Sequence, residues 1–209
     1  MKNARFIFIC SLFHPLLSIA QQPNADSTKP KWAFSTSAYY YVVPSEKNTA
    51  SLIGYADHGA LHFEARYNYE DHKTGSAFIG WRFETGEKFV FGATPMAGIV
   101  FGNTDGVAPG LELDASYGIF DFYSESEYVF DFAGEENNYL YTWGEIGVAP
   151  LNRFRTGLSF QRTKLYQSQF EVQRGIFAEY QIWKFTIGAY YFDPFADGQY
   201  VIASLSFDF

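Results

Sequence analysis

The chain has 209 residues, 47% of them hydrophobic and 21% aromatic, a formal net charge of -8 and a single cysteine, Cys10. That length supports one domain with a sizeable core. The acidic balance makes nucleic acid an unfavourable partner, and one cysteine excludes a disulfide framework.

The first segment, MKNARFIFICSLFHPLLSIAQQ, places Lys2 and Arg5 before an apolar run from Phe6 to Ile19. Small residues follow at Ser18 and Ala20. This is the pattern of a secretory signal, residues 1–20. The run contains His14 and Pro15 and is shorter than the ~18–20 apolar residues a helical span needs. Residues 21–31, QQPNADSTKPK, are polar with two prolines and read as a flexible leader.

From Trp32 onward, runs of about ten residues alternate apolar and polar side chains, and turn residues separate them. The predicted strands are 32–43, 49–57, 60–70, 75–85, 88–101, 108–118, 120–132, 138–149, 152–163, 169–181, 184–193 and 199–209. No amphipathic helix is expected. Pro95 falls inside one strand, where it deletes a ladder donor. The parity of Phe89, Phe91 and Ala93 continues in Ala97, Ile99 and Phe101, so a local distortion without a register change is expected.

The connections alternate in length. DHG at 57–59, TGE at 85–87, the break near Gly118, PLN at 150–152 and the break near Trp183 are tight. PSEKNT at 44–49, EDHKTG at 70–75, GNTDGV at 102–107, GEENN at 134–138, TKLYQSQ at 163–169 and DPFADGQ at 193–199 are longer and more polar. Long loops on one rim and short turns on the other mark an outer-membrane barrel. Closure also satisfies every backbone group without water, which an open sheet in lipid cannot do. The expected fold is all-β: one transmembrane antiparallel up-and-down barrel over residues 32–209, of about twelve strands, with ten as the alternative. An even count puts both termini on the short-turn side, facing the periplasm.

The chain ends QYVIASLSFDF, with Val201, Ala203, Leu205, Phe207 and Phe209 on one parity. This ending resembles the C-terminal signal of Gram-negative outer-membrane barrel proteins. The resemblance implies that Leu205, Phe207 and Phe209 lie on a barrel-closing strand read by the barrel-assembly machinery, in contact with outer-membrane lipid and lipopolysaccharide. In size the chain resembles small twelve-stranded porins such as the oligogalacturonate-specific channels. That family carries tracks of basic residues for acidic sugars, whereas the inward face here has more carboxylates than cations, which argues against a polyanion substrate.

Strand faces divide the residues further. Leu61, Phe63, Ala65, Tyr67 and Tyr69 oppose His62, Glu64, Arg66 and Asn68. Phe120, Phe122, Tyr128, Phe130 and Phe132 oppose Asp121, Glu125, Glu127 and Asp131. Phe154, Leu158 and Phe160 oppose Arg153, Arg155, Ser159 and Gln161. Bulky faces belong in lipid and charged faces in the lumen. The expected lumen network is Arg66, Arg82, Glu112, Asp114, Glu125, Glu127, Glu145, Arg153 and Arg155, with Asp121 beside it. Such groups must pair, because an unpaired buried ion is costly. Arg162 and Arg174 fall on the lipid parity. They either lie above the hydrocarbon, or a bulge turns Arg174 inward.

Three functions follow from this placement. The first is a passive channel for small hydrophilic solutes, with a mild cation preference from the carboxylate excess. The second is a filled structural or binding barrel acting through its loops. The third is a lipid-modifying enzyme, for which a His beside a Ser, Asp or Glu at the outer rim is required. His58, His62 and His72 have no lipase-like serine context and read as surface or ion-paired residues, and the Glu125/Glu127 pair is a weak catalytic dyad. The acidic loops GNTDG and GEENN do not match a calcium-loop spacing. No cofactor, catalytic residue or metal site is expected.

Overall fold

The computed structural model describes residues 30–44, 46–163, 172–196 and 198–209. The expected signal, residues 1–20, and nearly all of the expected 21–31 leader lie outside these residues, as does most of the expected 163–169 loop.

Thirteen strands follow one another. They are β1 (Trp32–Val42), β2 (Thr49–His58), β3 (Leu61–Tyr67), β4 (Thr74–Trp81), β5 (Phe83–Thr85), β6 (Phe89–Gly102), β7 (Gly106–Tyr117), β8 (Phe120–Asp131), β9 (Tyr139–Leu151), β10 (Phe154–Arg162), β11 (Gln173–Ile182), β12 (Phe185–Phe192) and β13 (Tyr200–Asp208). Each pairs antiparallel with its sequence neighbours, except that β4 and β5 lie end to end along β6. The barrel therefore has twelve staves, and the ten-strand alternative is not adopted. The last strand closes on the first, with Thr36 opposite Phe207 and Val42 opposite Val201. Phe209 N–H then donates to the Phe34 carbonyl at 3.0 Å, which carries the seam to the final residue.

Pro95 accounts for the split stave. Gly80 pairs with Met96 and Phe83 with Ala93, so the interruption at Arg82 lies opposite the Thr94–Pro95 step. Proline cannot donate to the ladder, yet the register is the same on both sides, as expected. On the other edge of β6, Pro95 sits opposite Leu111 in an unbroken ladder.

The tight turns are made by left-handed residues: Gly59 at φ 63°, Gly118 at 63°, Arg153 at 70° and Trp183 at 57°. The start of β1 and the end of β13 share their rim, since Trp32 pairs with His58 and Phe207 with Phe185. One connection of the opposite rim is shorter than expected. β6 and β7 extend to Gly102 and Gly106, leaving only Asn103–Asp105 between them.

Alternation sorts the side chains. Outside, Leu52, Ile79, Ile99, Leu111, Ile146, Leu158, Ile176 and Ile187 form an exposed aliphatic belt. Trp32, Trp81, Phe83, Phe89, Tyr117, Phe120, Trp183 and Phe209 ring the tight-turn rim, and Tyr67, Phe101, Phe130 and Phe132 the other. A water-facing surface rarely carries so large an apolar area. A belt between two aromatic girdles is the exterior of a barrel in lipid. Arg174 faces outward at the long-loop end of β11, with no bulge turning it in, and its N–H donates to Asp193 Oδ1 at 3.1 Å. Arg162 ends β10 at the same rim and donates from Nη1 to the Leu140 carbonyl at 2.5 Å.

Candidate functional site

The inward face is densely filled. Tyr39, Tyr41, Tyr141, Trp143, Phe177, Tyr190, Phe192 and Tyr200 are buried within the barrel. Trp143 packs edge-on against Tyr190 at 5.2 Å and Phe192 at 5.7 Å between ring centroids. Such offset and edge contacts are the favoured aromatic geometries.

Into this aromatic matrix project three arginines, each among carboxylates. Arg155, on β10, reaches Asp121 of β8 at 2.5 Å, Glu145 of β9 at 2.5 Å and Glu179 of β11 at 3.0 Å. Its guanidinium lies 4.5 Å over the Phe177 ring. Glu145 also accepts from Trp143 Nε1 and from the Tyr190 hydroxyl, both at 3.0 Å. Glu179 accepts from Tyr190 at 2.6 Å.

Arg66, on β3, forms the second group. It pairs with Glu64, with Glu125 at 2.5 Å, Glu127 at 3.0 Å and Glu70 at 3.4 Å. Its guanidinium lies 4.3 Å over Phe78. The third, Arg82 at the β4–β5 break, makes a bidentate pair with Asp114 at 2.7 and 3.1 Å and reaches Glu84 at 3.0 Å. Planar guanidinium–carboxylate forks of this kind are the strong form of the ion pair. Both of these Arg–Asp pairs, Arg155–Asp121 and Arg82–Asp114, pass over glycines. A Cβ on Gly147 would stand 2.5 Å from Asp121 Oδ1 and 2.6 Å from Arg155 Nε, and one on Gly92 would overlap the Asp114 carboxylate.

A fourth group surrounds His62 near the tight-turn rim. Its Nδ1 is 2.7 Å from Asp57 Oδ1 and its Nε2 is 2.7 Å from Glu64 Oε1. Glu112 lies beside it and accepts from the Tyr123 hydroxyl at 2.8 Å.

The structure thus brings together Arg66 with Glu125 and Glu127, Arg82 with Asp114, and Arg155 with Glu145 and Asp121. Arg153 is a correction. β10 begins at Phe154, and Arg153 occupies the left-handed turn position, exposed and outside the ion-pair groups. Tyr69 is a second correction. Asn68 adopts φ 54°, and this one left-handed residue breaks the two-residue alternation. Tyr69 and Glu70 consequently turn into the barrel, 2% and 0% exposed. Tyr69 donates to Glu125 Oε2 at 3.0 Å and packs on Tyr141 at 4.8 Å. The Asn68 side chain fixes the turn by accepting from Lys73 N–H at 2.6 Å and donating to the Ala50 carbonyl at 3.0 Å.

Glu64, Glu70, Glu179 and Asp57 are the interior carboxylates that the strand-face reading did not place in the network. Glu179 was accessible from parity, since Ile176, Ala178 and Tyr180 alternate with Phe177 and Glu179. His62 is the histidine with carboxylate partners at both ring nitrogens, but it is buried at the tight-turn rim. His72 lies in the opposite rim, where its backbone N–H donates to Asp71 Oδ1 at 2.7 Å.

No protein-family model matches the chain, and no curated protein matches it either. Among solved structures it is similar to the KdgM porin, with a TM-score of 0.59, 10% identity, and coverage of 84% of this chain and 99% of that one. It is likewise similar to the KdgM porin in complex with disordered oligogalacturonate, with a TM-score of 0.60, 11% identity and the same coverage. At these identities the likeness is one of fold: a closed antiparallel barrel of twelve staves.

Proposed function

We propose that the chain is an outer-membrane channel for small hydrophilic solutes, with a cation preference, its interior filled by side chains at rest. The observation that carries this reading is the sorting of side chains. Ionised groups line the inside of a closed twelve-stave porin fold, and an aliphatic belt between aromatic girdles covers the outside. Lipid and lipopolysaccharide are the partners such an exterior fits. The short-turn rim, with the start of β1 and the end of β13, then faces the periplasm. Leu205, Phe207 and Phe209, on the closing strand, are the segment offered to the assembly machinery.

Interior carboxylates outnumber the arginines, which favours cations and disfavours a polyanion. An acidic oligosaccharide such as that bound by the similar porin is therefore not the expected solute. Tyr69, Tyr141 and Trp143 fill the interior at 1–2% exposure, with Glu125 and Glu145 buried at 1% and 0%. Passage requires these side chains to move.

The test is single-channel recording of the refolded protein in a salt gradient. Small cation-selective events in the wild type, enlarged in Trp143→Ala and Tyr69→Ala, are expected. Anion selectivity would refute the preference. The near-zero exposure of Glu125 and Glu145 favours a second reading, a permanently filled barrel acting through its loops. A folded protein that stays silent in the wild type and in both variants would establish that reading and end the channel proposal.

A further inference from the structure

The His62 group has a geometry that solute passage does not require. His62 and Glu64 stand on β3, and Glu112 stands on β7, staves that are not neighbours in the sheet. The three meet across the interior, with one potential ligand atom each, all within 4.8 Å of one another. His62 is 3% exposed, Glu64 4% and Glu112 7%, so the cluster is enclosed.

The orientation of the ring is specific. Nδ1 is held by Asp57 Oδ1 at 2.7 Å, and Nε2 points between Glu64 Oε1 at 2.7 Å and Glu112 Oε2 at 3.8 Å. The second distance is beyond hydrogen-bonding length. Glu112 Oε1 is engaged by Tyr123, so its other oxygen is turned toward the imidazole without bonding it. The buried Asp57 Oδ2 has no hydrogen-bond partner either. Carboxylates only accept, and a neutral imidazole has one donor. Asp57, Glu64 and Glu112 face His62, and Glu64 also pairs with Arg66, so negative charge is in excess at this rim. A histidine whose far nitrogen is fixed by a carboxylate, while its near nitrogen faces further carboxylates, is the arrangement of a metal ligand with its supporting shell.

We propose that His62 Nε2, Glu64 Oε1 and Glu112 Oε2 bind one divalent first-row transition-metal ion of the zinc class, with Asp57 orienting the imidazole. Nitrogen and carboxylate ligands at about 2.0–2.2 Å around a tetrahedral ion stand about 3.3 Å apart. The 2.7 Å pair must open and the 3.8 Å pair close by about 0.5 Å, and the two carboxylate oxygens, within 4.8 Å of each other, must draw together by up to about 1.5 Å, which side-chain rotation supplies. A proton on Nε2 is displaced to solvent as the ion enters, while the Nδ1 proton stays on the ring and is donated to Asp57 Oδ1. Glu112, the most open of the three, is the entry point from the tight-turn rim. This site does not depend on the channel reading, because a filled barrel would hold it equally well.

The experiment is calorimetric titration of the refolded, chelator-stripped protein with zinc chloride in buffers of different ionisation enthalpy. One saturable site with proton release is expected. His62→Gln should abolish it, Glu112→Gln should weaken it at least about tenfold, and Asp57→Asn should weaken it about 10- to 100-fold through the supporting shell. Cobalt should give visible absorption in the wild type and not in His62→Gln. Glu136→Gln, in a loop of the far rim, should leave binding unchanged. If His62→Gln does not fold, Asp57→Asn and Glu112→Gln carry the test. Absence of saturable binding, or binding indifferent to all three substitutions, would overturn the proposal.

Discussion

Arg155 and Arg66 invite comparison, because the barrel builds nearly the same device around each. Both guanidiniums lie over a phenylalanine ring, at 4.5 and 4.3 Å, and both stand among carboxylates from several staves. The difference is in how fully the carboxylates are satisfied. Around Arg155, Glu145 and Glu179 also accept from Trp143 and Tyr190, and no carboxylate oxygen of the group is both buried and without a hydrogen bond among the described residues. Around Arg66, Glu70 Oε2, Glu125 Oε1 and Glu127 Oε1 are buried without one. Glu125 Oε1 lies 2.5 Å from Arg66 Nη2, but out of hydrogen-bonding alignment. A completed network rigidifies its surroundings, whereas an incomplete one is strained by its own charge. The Arg155 group is therefore the more completely bonded of the two. The Arg66 side, contiguous through Glu64 with the His62 group, holds spare negative charge.

The largest effect that separates the two follows from removing Arg155. Arg155→Met leaves Asp121, Glu145 and Glu179 buried together with no cation, and a cost of about 3–5 kcal/mol is expected. Urea unfolding followed by the heat-modifiable gel shift measures it. A loss under about 1 kcal/mol would show that water enters and screens these groups, and the reading of a closed, fully bonded network would fail. Glu145→Gln is the next step down. The amide keeps the size but loses charge-assisted bonds from Arg155, Trp143 and Tyr190, so about 1–3 kcal/mol is expected by the same assay. A neutral outcome would mean that the saturation of this group carries no energy.

What the sequence made legible, and what it hid, divides along the same line. Strand parity is local, and it placed Arg66, Arg155, Glu125 and Glu145 inward because a side chain alternates with its neighbours whatever the rest of the barrel does. Closure was legible too, since alternating long and short connections and the terminal Leu205–Phe207–Phe209 parity require an up-and-down order. Arg153 was misplaced because one left-handed turn residue decides where β10 begins. Tyr69 was misplaced because Asn68 inverts parity after it. Partners were beyond reach for a different reason. Glu125 and Glu127 meet Arg66 across the lumen from β8 to β3, and that pairing depends on the stagger of all twelve staves. The same holds for Glu112 and His62, so a histidine that reads as an ordinary paired residue on its own strand becomes a three-ligand cluster only in the closed barrel.

The smallest expected effect is the one that separates the two sides most sharply. Glu127 Oε2 pairs with Arg66 Nη1 at 3.0 Å, while its Oε1 is buried without a hydrogen bond, as is Glu70 Oε2. In Glu127→Gln the amide oxygen still accepts from Arg66. The amide nitrogen becomes a donor where a buried carboxylate oxygen had no hydrogen bond, and one buried negative charge is gone. The lost ion pair costs about 1 kcal/mol or more taken alone, and relief of carboxylate repulsion offsets it. A net change within about 0.5 kcal/mol, of either sign, is expected, against the clear loss in Glu145→Gln. Equal losses in the two variants, measured side by side by urea unfolding, would mean that both groups are saturated and that the spare charge around Arg66 has no energetic consequence.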